Sequence, residues 1–302
     1  MSEKFSYSKL DCYNGCPFRF YLNYELQNFA YSESIATEFG SAIHATEEKI
    51  AHMILNNEPI DYIKLKNDFI LKIASLEQKY PKTFFEKDKS NQNYREKTYV
   101  YLDEGIYRLE KFMKAHPSYE IIGIEQKFNF IFDSEHSFNG AIDRVFRDTK
   151  TNRYIIQDIK SYSVPIKHDD LTTPLQMVVY TMAAKELWGC SYDQVSCQYD
   201  LPLCNLIQDG GTAGYMARGI KKINSLFEKI KNKDFEPSPS PLCNWCSYCR
   251  TNEDAQDKFK YLCPYHMRWT RDIKDFSKEN DWSNLEDYPI ILEAFKKQYN
   301  VK

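Results

Sequence analysis

Three apolar runs within forty positions, 121–132, 138–147 and 153–160, constrain what this chain can fold into more than any other feature. Two polar segments, Asp133-Ser134-Glu135 and Asp148-Thr149-Lys150-Thr151-Asn152, separate them, and apolar runs bounded by such turn residues read as a strand meander. The third run ends in Gln157-Asp158-Ile159-Lys160. Strand alternation sends Asp158 and Lys160 to one face and Ile159 to the other, so a carboxylate and an ammonium converge. The middle run carries Gly140-Ala141-Ile142-Asp143-Arg144, which places a second acid fifteen positions earlier. Carboxylate and carbonyl oxygens suit hard divalent cations, and such a cation acidifies water toward a usable nucleophile. A strand-end salt bridge has the same residue pattern, so Asp-x-Lys alone does not decide the matter.

The surrounding pattern is helical. Two short helices are expected around Ser8 to Glu25, then one over 37–56, one over 61–79 and one over 93–115, where Leu102, Ile106, Leu109 and Met113 recur at helical spacing. A helix over 174–188, a strand over 193–202 and a helix over 214–233 follow the meander. In the 37–56 helix, Phe39, Ile43, Ile50 and Ile54 form an apolar face that leaves His44 beside the buried stripe, as a core histidine or as a metal ligand. Gln176 and Tyr180 follow Pro174 at a spacing of four, so they share one helix face. They are either ordinary helix surface or an amide and phenol pair that orients a phosphate or water. Glu125 on the first strand is an outer-shell candidate, but a charge on the wet face of an opening strand is also ordinary, and it stays outside the expected site.

Nine cysteines in 302 residues, with neither a signal peptide nor an apolar run long enough to span a membrane, suggest a reducing, cytoplasmic setting, whether cellular or that of a phage host. Cys243-x-x-Cys246-x-x-Cys249 lets a short loop turn several soft sulfurs onto one centre, which suits iron-sulfur or zinc. The prolines at 237, 239 and 241 disfavour helix ahead of that loop. A zinc knuckle would use Cys243, Cys246, Cys249 and Cys263, or His266 in place of one. Cys12, Cys190, Cys197 and Cys204 are ungrouped and expected as small buried hydrophobes.

The formal charge is −3 with a pI near 6.1, so no global positive field draws a polyanion. DNA contact would have to come from local patches and metal ions. Lys221, Lys222, Lys229, Lys231 and Lys233 form the densest basic run, either as a phosphate-binding face or as a solvated one; Ile223, Leu226, Phe227 and Ile230 point inward on the same helix.

The order His44, Gly140-x-x-Asp143-Arg144, Asp158-x-Lys160, Gln176-x-x-x-Tyr180 resembles the RecB-like branch of the PD-(D/E)XK nuclease superfamily. The stretch Tyr13-x-x-Cys16-Pro17-x-x-Phe20 and the late Cys243, Cys246 and Leu262-Cys263-Pro264 resemble the iron-sulfur members of that branch, among them AddB and CRISPR-associated RecB-like exonucleases. The likeness spans roughly 6–264.

That resemblance implies an α/β, restriction-endonuclease-like core: a central mixed sheet flanked by helices, with a helical N-terminal part and an iron-sulfur loop near the C-terminus. It implies one nuclease domain over 1–264, with a helical insertion at about 37–115, a catalytic core at about 119–205 and a cysteine loop at 236–264. Residues 265–302 would form an extension with a helix near 285–299. His44, Asp143, Asp158 and the carbonyl of Ile159 would hold magnesium or manganese, Lys160 would orient or deprotonate water, and Gln176 and Tyr180 would support the scissile strand or the lysine. Cys16, Cys243, Cys246 and Cys263 would hold a 4Fe-4S cluster. The family's interval before Cys-Pro is shorter than here, which leaves Cys249 as the alternative fourth ligand. The implied activity is exonucleolytic cleavage of DNA to 5'-phosphate products in recombination, repair or phage DNA processing. A non-catalytic DNA-binding or scaffold protein with the same fold is the competing class. No Gly-x-x-x-x-Gly-Lys-Ser/Thr phosphate loop occurs, so ATP-driven unwinding would fall to a helicase or recombination partner.

Overall fold

The computed structural model describes residues 2–27, 34–88, 90–167, 174–210, 213–238, 240–248 and 263. The chain packs as two compact units, one of Met1–Tyr7 with Ile35–Ser225 and the other of Ser8–Ser34 with Leu226–Lys302.

The first unit is built on the meander. Strands β1 (Glu3–Phe5), β2 (Tyr119–Ile131), β3 (His136–Asp148), β4 (Arg153–Ile159), β5 (Val195–Leu201) and β6 (Leu206–Asp209) make one mixed sheet in the order β1-β3-β4-β5-β6, with β2 also paired to β3. β2 runs antiparallel along one edge of β3. The other edge is shared: β1 pairs in parallel with 136–138, and β4 pairs antiparallel with 144–148. Between those two pairings β3 is open at 139–143, where Asp143 lies. β4 leaves β3 there but stays paired with β5, with Ile159 opposite Asp200. The two short edge strands, β1 and β6, lie outside the expected pattern.

Helices cover the sheet. With α1 as Tyr7–Gly15 and α2 as Pro17–Phe20, the first unit contributes α3 (Ile35–Leu55), α4 (Tyr62–Lys79), α5 (Tyr94–Asp103), α6 (Arg108–Ala115) and α7 (Leu175–Trp188); α8 spans Met216–Lys231. α3 buries Phe39, Ile43 and Ile50 as its spacing requires, and they join Phe146, Ile155 and Ile159 of the sheet in one core. Asp61 caps α4 by accepting the Lys64 amide at 3.0 Å, and Asn93 with Glu96 forms a capping box for α5. Every residue of β4 from Tyr154 to Ile159 is buried, as expected of a strand covered on both faces.

The helix expected over 93–115 is two helices joined by a 3-10 turn at Gly105–Tyr107. A Cβ on Gly105 would lie 2.7 Å from the Tyr101 ring and 2.8 Å from the Pro202 carbonyl oxygen, so close backbone packing breaks the helix where periodicity alone would continue it.

In the second unit, Pro17 opens α2 directly after Cys16, and a π-helical turn, Tyr21–Glu25, follows. Phe20 stacks on Phe235, Tyr13 meets both rings edge-on, and the Tyr13 hydroxyl donates to the Asp234 carbonyl. Tyr248 donates to the Asn23 side chain, tying the late loop to the early helices. The extension at 265–302 lies outside the described residues. Among the described residues no helix is long and apolar enough to cross a membrane.

Candidate active site

The opening in β3 is where the acids meet. Asp143 sits at the strand's unpaired edge, and its Oδ2 accepts the Ile159 amide at 2.6 Å, so a side chain substitutes for the missing ladder partner. His44 approaches from α3 with Nδ1 3.7 Å from the same oxygen. Gly40 allows that approach: a Cβ there would press on Ser161 Oγ at 3.0 Å, next to Lys160.

Glu125 completes the group. Its φ of 45° is left-handed, a costly conformation for a residue without glycine's freedom, and it occurs inside strand β2. One ligand atom from each of His44, Glu125 and Asp143 lies within 4.8 Å of the others.

Asp158 stands beside this triad and is held from three directions. Its Oδ1 accepts from Gln176 Nε2 at 2.7 Å and from the Tyr180 hydroxyl at 3.5 Å, while Lys160 Nζ lies 2.6 Å from Oδ2. Gln176 also donates to the Tyr180 oxygen at 2.9 Å, so the helix pair acts as one support. The Tyr180 ring packs edge-on against Phe128.

Burial dominates the electrostatics. It pushes the Asp158 carboxyl up to about 6, opposed mainly by Lys160 and reinforced by Asp143. It raises Asp143 despite His44 and the Ile159 amide, and it raises Glu125, with Glu48 adding to the effect. Burial also works against the Lys160 ammonium, yet the adjacent Asp158 outweighs it and the lysine's pKa rises. With His44 counted neutral, three carboxylates face one cation. The donor set of carboxylate oxygens and one imidazole, short of positive charge, fits a divalent ion of the magnesium or manganese type.

A family model for the PD-(D/E)XK nuclease superfamily matches residues 4–251. The chain belongs to that superfamily. No curated protein matches it. Membership makes this mixed α/β sheet the scaffold of a metal-dependent nuclease, and the residues just described occupy its acidic centre.

The structure places the expected site residues of this nuclease in two adjoining sets. His44 and Asp143 converge with Glu125, and Asp158 converges with Lys160, Gln176 and Tyr180. The Ile159 peptide joins the two through its amide. Glu125 is the residue that sequence reasoning left out. An open groove of 470 Å³ runs beside His44, lined also by Thr37, Gly40, Ser41, Glu48 and Ser161.

In the second unit, Cys16, Cys243, Cys246 and Cys263 line a single pocket, together with Arg19 and Tyr248. Ser240 donates its amide to Cys243 Sγ at 3.4 Å, and burial pushes the Cys246 thiol up to about 11. Among the described residues, the buried Arg19 Nε has no hydrogen-bond partner. Cys249 and His266 lie outside the described residues. Cys12, Cys190 and Cys197 are buried as expected, but Cys204 is partly exposed, its Sγ 3.3 Å from the Tyr162 carbonyl, because it lies in a surface turn before β6. Lys221, Lys222, Lys229, Lys231 and Lys233 are all exposed, while Ile223, Leu226 and Phe227 are buried.

Proposed function

We propose that this chain is a magnesium- or manganese-dependent deoxyribonuclease of the RecB-like branch, acting as an exonuclease in recombination, repair or phage DNA processing. The observation that carries the reading is the gathering of three carboxyl groups, half-buried Glu125 and Asp143 and buried Asp158, with the His44 imidazole beside a single ammonium. His44, Asp143 and Asp158, with Glu125 and the Ile159 carbonyl, would hold the ion. When bound, it supplies Lewis acidity to the scissile phosphate and to the attacking water.

The protein's own groups do the rest. Gln176 and Tyr180 hold Asp158 in one orientation by hydrogen bonds to a single oxygen, leaving Oδ2 to face Lys160. Lys160, as the ammonium, would then orient the water and offer positive charge to the phosphoryl oxygens as they become more negative; to deprotonate the water it would first have to lose its own proton, which the adjacent Asp158 opposes. Displacement of the 3'-oxygen leaves a 5'-phosphate. The exposed lysines of α8 would meet backbone phosphates.

The convergence of Cys16 with Cys243, Cys246 and Cys263 supports a 4Fe-4S cluster held by those four thiolates; Cys249 remains the alternative fourth ligand. Iron and sulfide analysis of anaerobically purified protein, wild type and Cys263→Ser, tests it; zinc without iron rejects the cluster and leaves the nuclease site untouched.

End-labelled linear and circular single-stranded DNA incubated with Mn2+ tests the activity. Exonuclease action shortens the linear substrate from one end and spares the circle. Binding of both without cleavage, unchanged by Asp158→Ala, would instead point to a scaffold. Neutralising Lys221, Lys222 and Lys229 together should flatten the dependence of affinity on salt; an unchanged slope returns them to a solvated face.

A further inference from the structure

Asp143 and Arg144 are neighbours on β3, and alternation turns them to opposite faces of the sheet. Arg144 is 1% exposed, a full charge in the core. Its Nη1 donates to Glu47 Oε2 at 3.3 Å and its Nη2 to Asp200 Oδ2 at 2.6 Å. Glu47, 0% exposed, accepts a further hydrogen bond from the Tyr101 hydroxyl at 3.0 Å. Asp200 accepts from Arg108 through Nε at 2.9 Å and Nη2 at 2.7 Å, and Arg108 Nη1 reaches Asn205 Oδ1 at 3.0 Å. Two carboxylates and two guanidiniums thus lie buried together on the face away from Asp143.

Each link of this network is one step from an active-site group. Glu47 follows His44 by three residues, one turn along α3. Arg144 shares a peptide bond with Asp143. The Asp200 carbonyl accepts the Lys160 amide at 2.8 Å. Apolar packing between α3 and the sheet tolerates small slips and rotations, whereas a guanidinium bridging two carboxylates permits one arrangement. Buried ion pairs contribute little net stability compared with apolar side chains of the same volume, so their directionality is what they add.

Resting on the metal-dependent reading above, we propose that Glu47, Arg144 and Asp200 are positioning residues for the metal site: they fix α3, β3 and β5 in the one register that brings His44, Asp143 and Lys160 together. They touch neither substrate nor metal. Their role is that of outer partners that set the orientation of ligands, a class whose loss typically lowers metal affinity or activity about 10- to 100-fold.

The test is Mn2+ affinity of the full chain, measured from free Mn2+ by electron paramagnetic resonance and paired with denaturant unfolding. Glu47→Gln and Arg144→Lys should remain cooperatively folded, bind Mn2+ about 10- to 100-fold more weakly, and recover cleavage when Mn2+ is raised. A merely structural role would not move the affinity of the folded fraction, nor be rescued by metal. Wild-type Mn2+ affinity in either folded variant overturns the proposal. If both variants unfold, Tyr101→Phe carries the test, because it removes one hydrogen bond to Glu47 and leaves no charge unpaired. Its Mn2+ affinity must fall measurably, and an unchanged value counts against the clamp. Wild-type protein that takes up no Mn2+ would overturn the metal-dependent reading itself.

Discussion

Asp143 and Arg144 open onto two environments separated only by the thickness of a sheet. Behind Arg144, the acids Glu47 and Asp200 are matched by two arginines and a tyrosine hydroxyl, all supplied by the protein. In front, Glu125, Asp143 and Asp158 face one lysine. Burial raises carboxyl pKa on both sides, Glu47 to about 7 and Asp158 to about 6, so desolvation does not distinguish them. Supply of countercharge does. The protein matches charge with charge in the rear network, although the buried Arg144 Nε has no hydrogen-bond partner among the described residues, and it leaves the front carboxyl groups to be balanced by something that binds.

The largest effect expected is on cleavage. Asp158→Ala or Lys160→Ala should lower the rate of DNA hydrolysis by about 10³-fold or more, since each removes a group that acts on the water or the developing charge. The fold should survive in both, with far-ultraviolet dichroism like wild type, but Lys160→Ala should lower the unfolding midpoint at pH 7 because it leaves the buried Asp158 without its ammonium. Retained cleavage in both variants would mean that the front set is a second structural cluster.

The second effect is on stability, and it has opposite signs on the two faces. Arg144→Met strands Glu47 and Asp200 in the core, and breaking a buried pair by removing one partner costs about 3–5 kcal/mol. Asp143→Asn keeps an acceptor for the Ile159 amide and removes one of three crowded charges, so metal-free protein should be as stable as wild type or more so. Urea unfolding in chelator reads both. Equal destabilisation by the two substitutions would erase the distinction between the faces.

These two sets were not equally legible in the sequence. Asp158 and Lys160 could be placed because strand alternation leaves no choice of face, and Asp143 because it follows on the adjoining strand of a meander. His44, Gln176 and Tyr180 depended on order along the chain and on helical spacing, and the structure gathers them about the acids. Glu125 stayed outside the expected set: its carboxylate meets His44 and Asp143 from a left-handed backbone, and no residue pattern announces a positive φ at a glutamate inside a strand. The rear network was equally silent. Glu47, Tyr101, Arg108, Arg144 and Asp200 lie on five elements, and each alone looks like a surface polar residue until tertiary packing buries it. The break at Gly105 and the short strands β1 and β6 were hidden for related reasons, since a close backbone contact and strands of three or four residues leave no periodicity to detect.

The smallest effect is the front face's share of the pH dependence of stability. Asp158 has a folded pKa of about 6, above its unfolded value of 3.8. A carboxyl raised in this way holds its proton in the folded state after the unfolded chain has released it. Its contribution to stability is therefore complete below about pH 4 and is lost as pH rises through 6. The shift corresponds to something on the order of 2–3 kcal/mol. Glu47 tilts the same curve in the same direction, so the front face must be isolated by difference. Metal-free wild type and Asp158→Asn should converge in stability near pH 4 and separate toward pH 7, with the asparagine variant the more stable. Saturating Mn2+ should abolish or reverse the gap at pH 7, because a bound cation stabilises the ionised carboxylates that burial disfavours. A gap that persists unchanged with Mn2+ would mean that the front carboxylates are closed by something other than a divalent ion, and the two faces would then differ in geometry but not in kind.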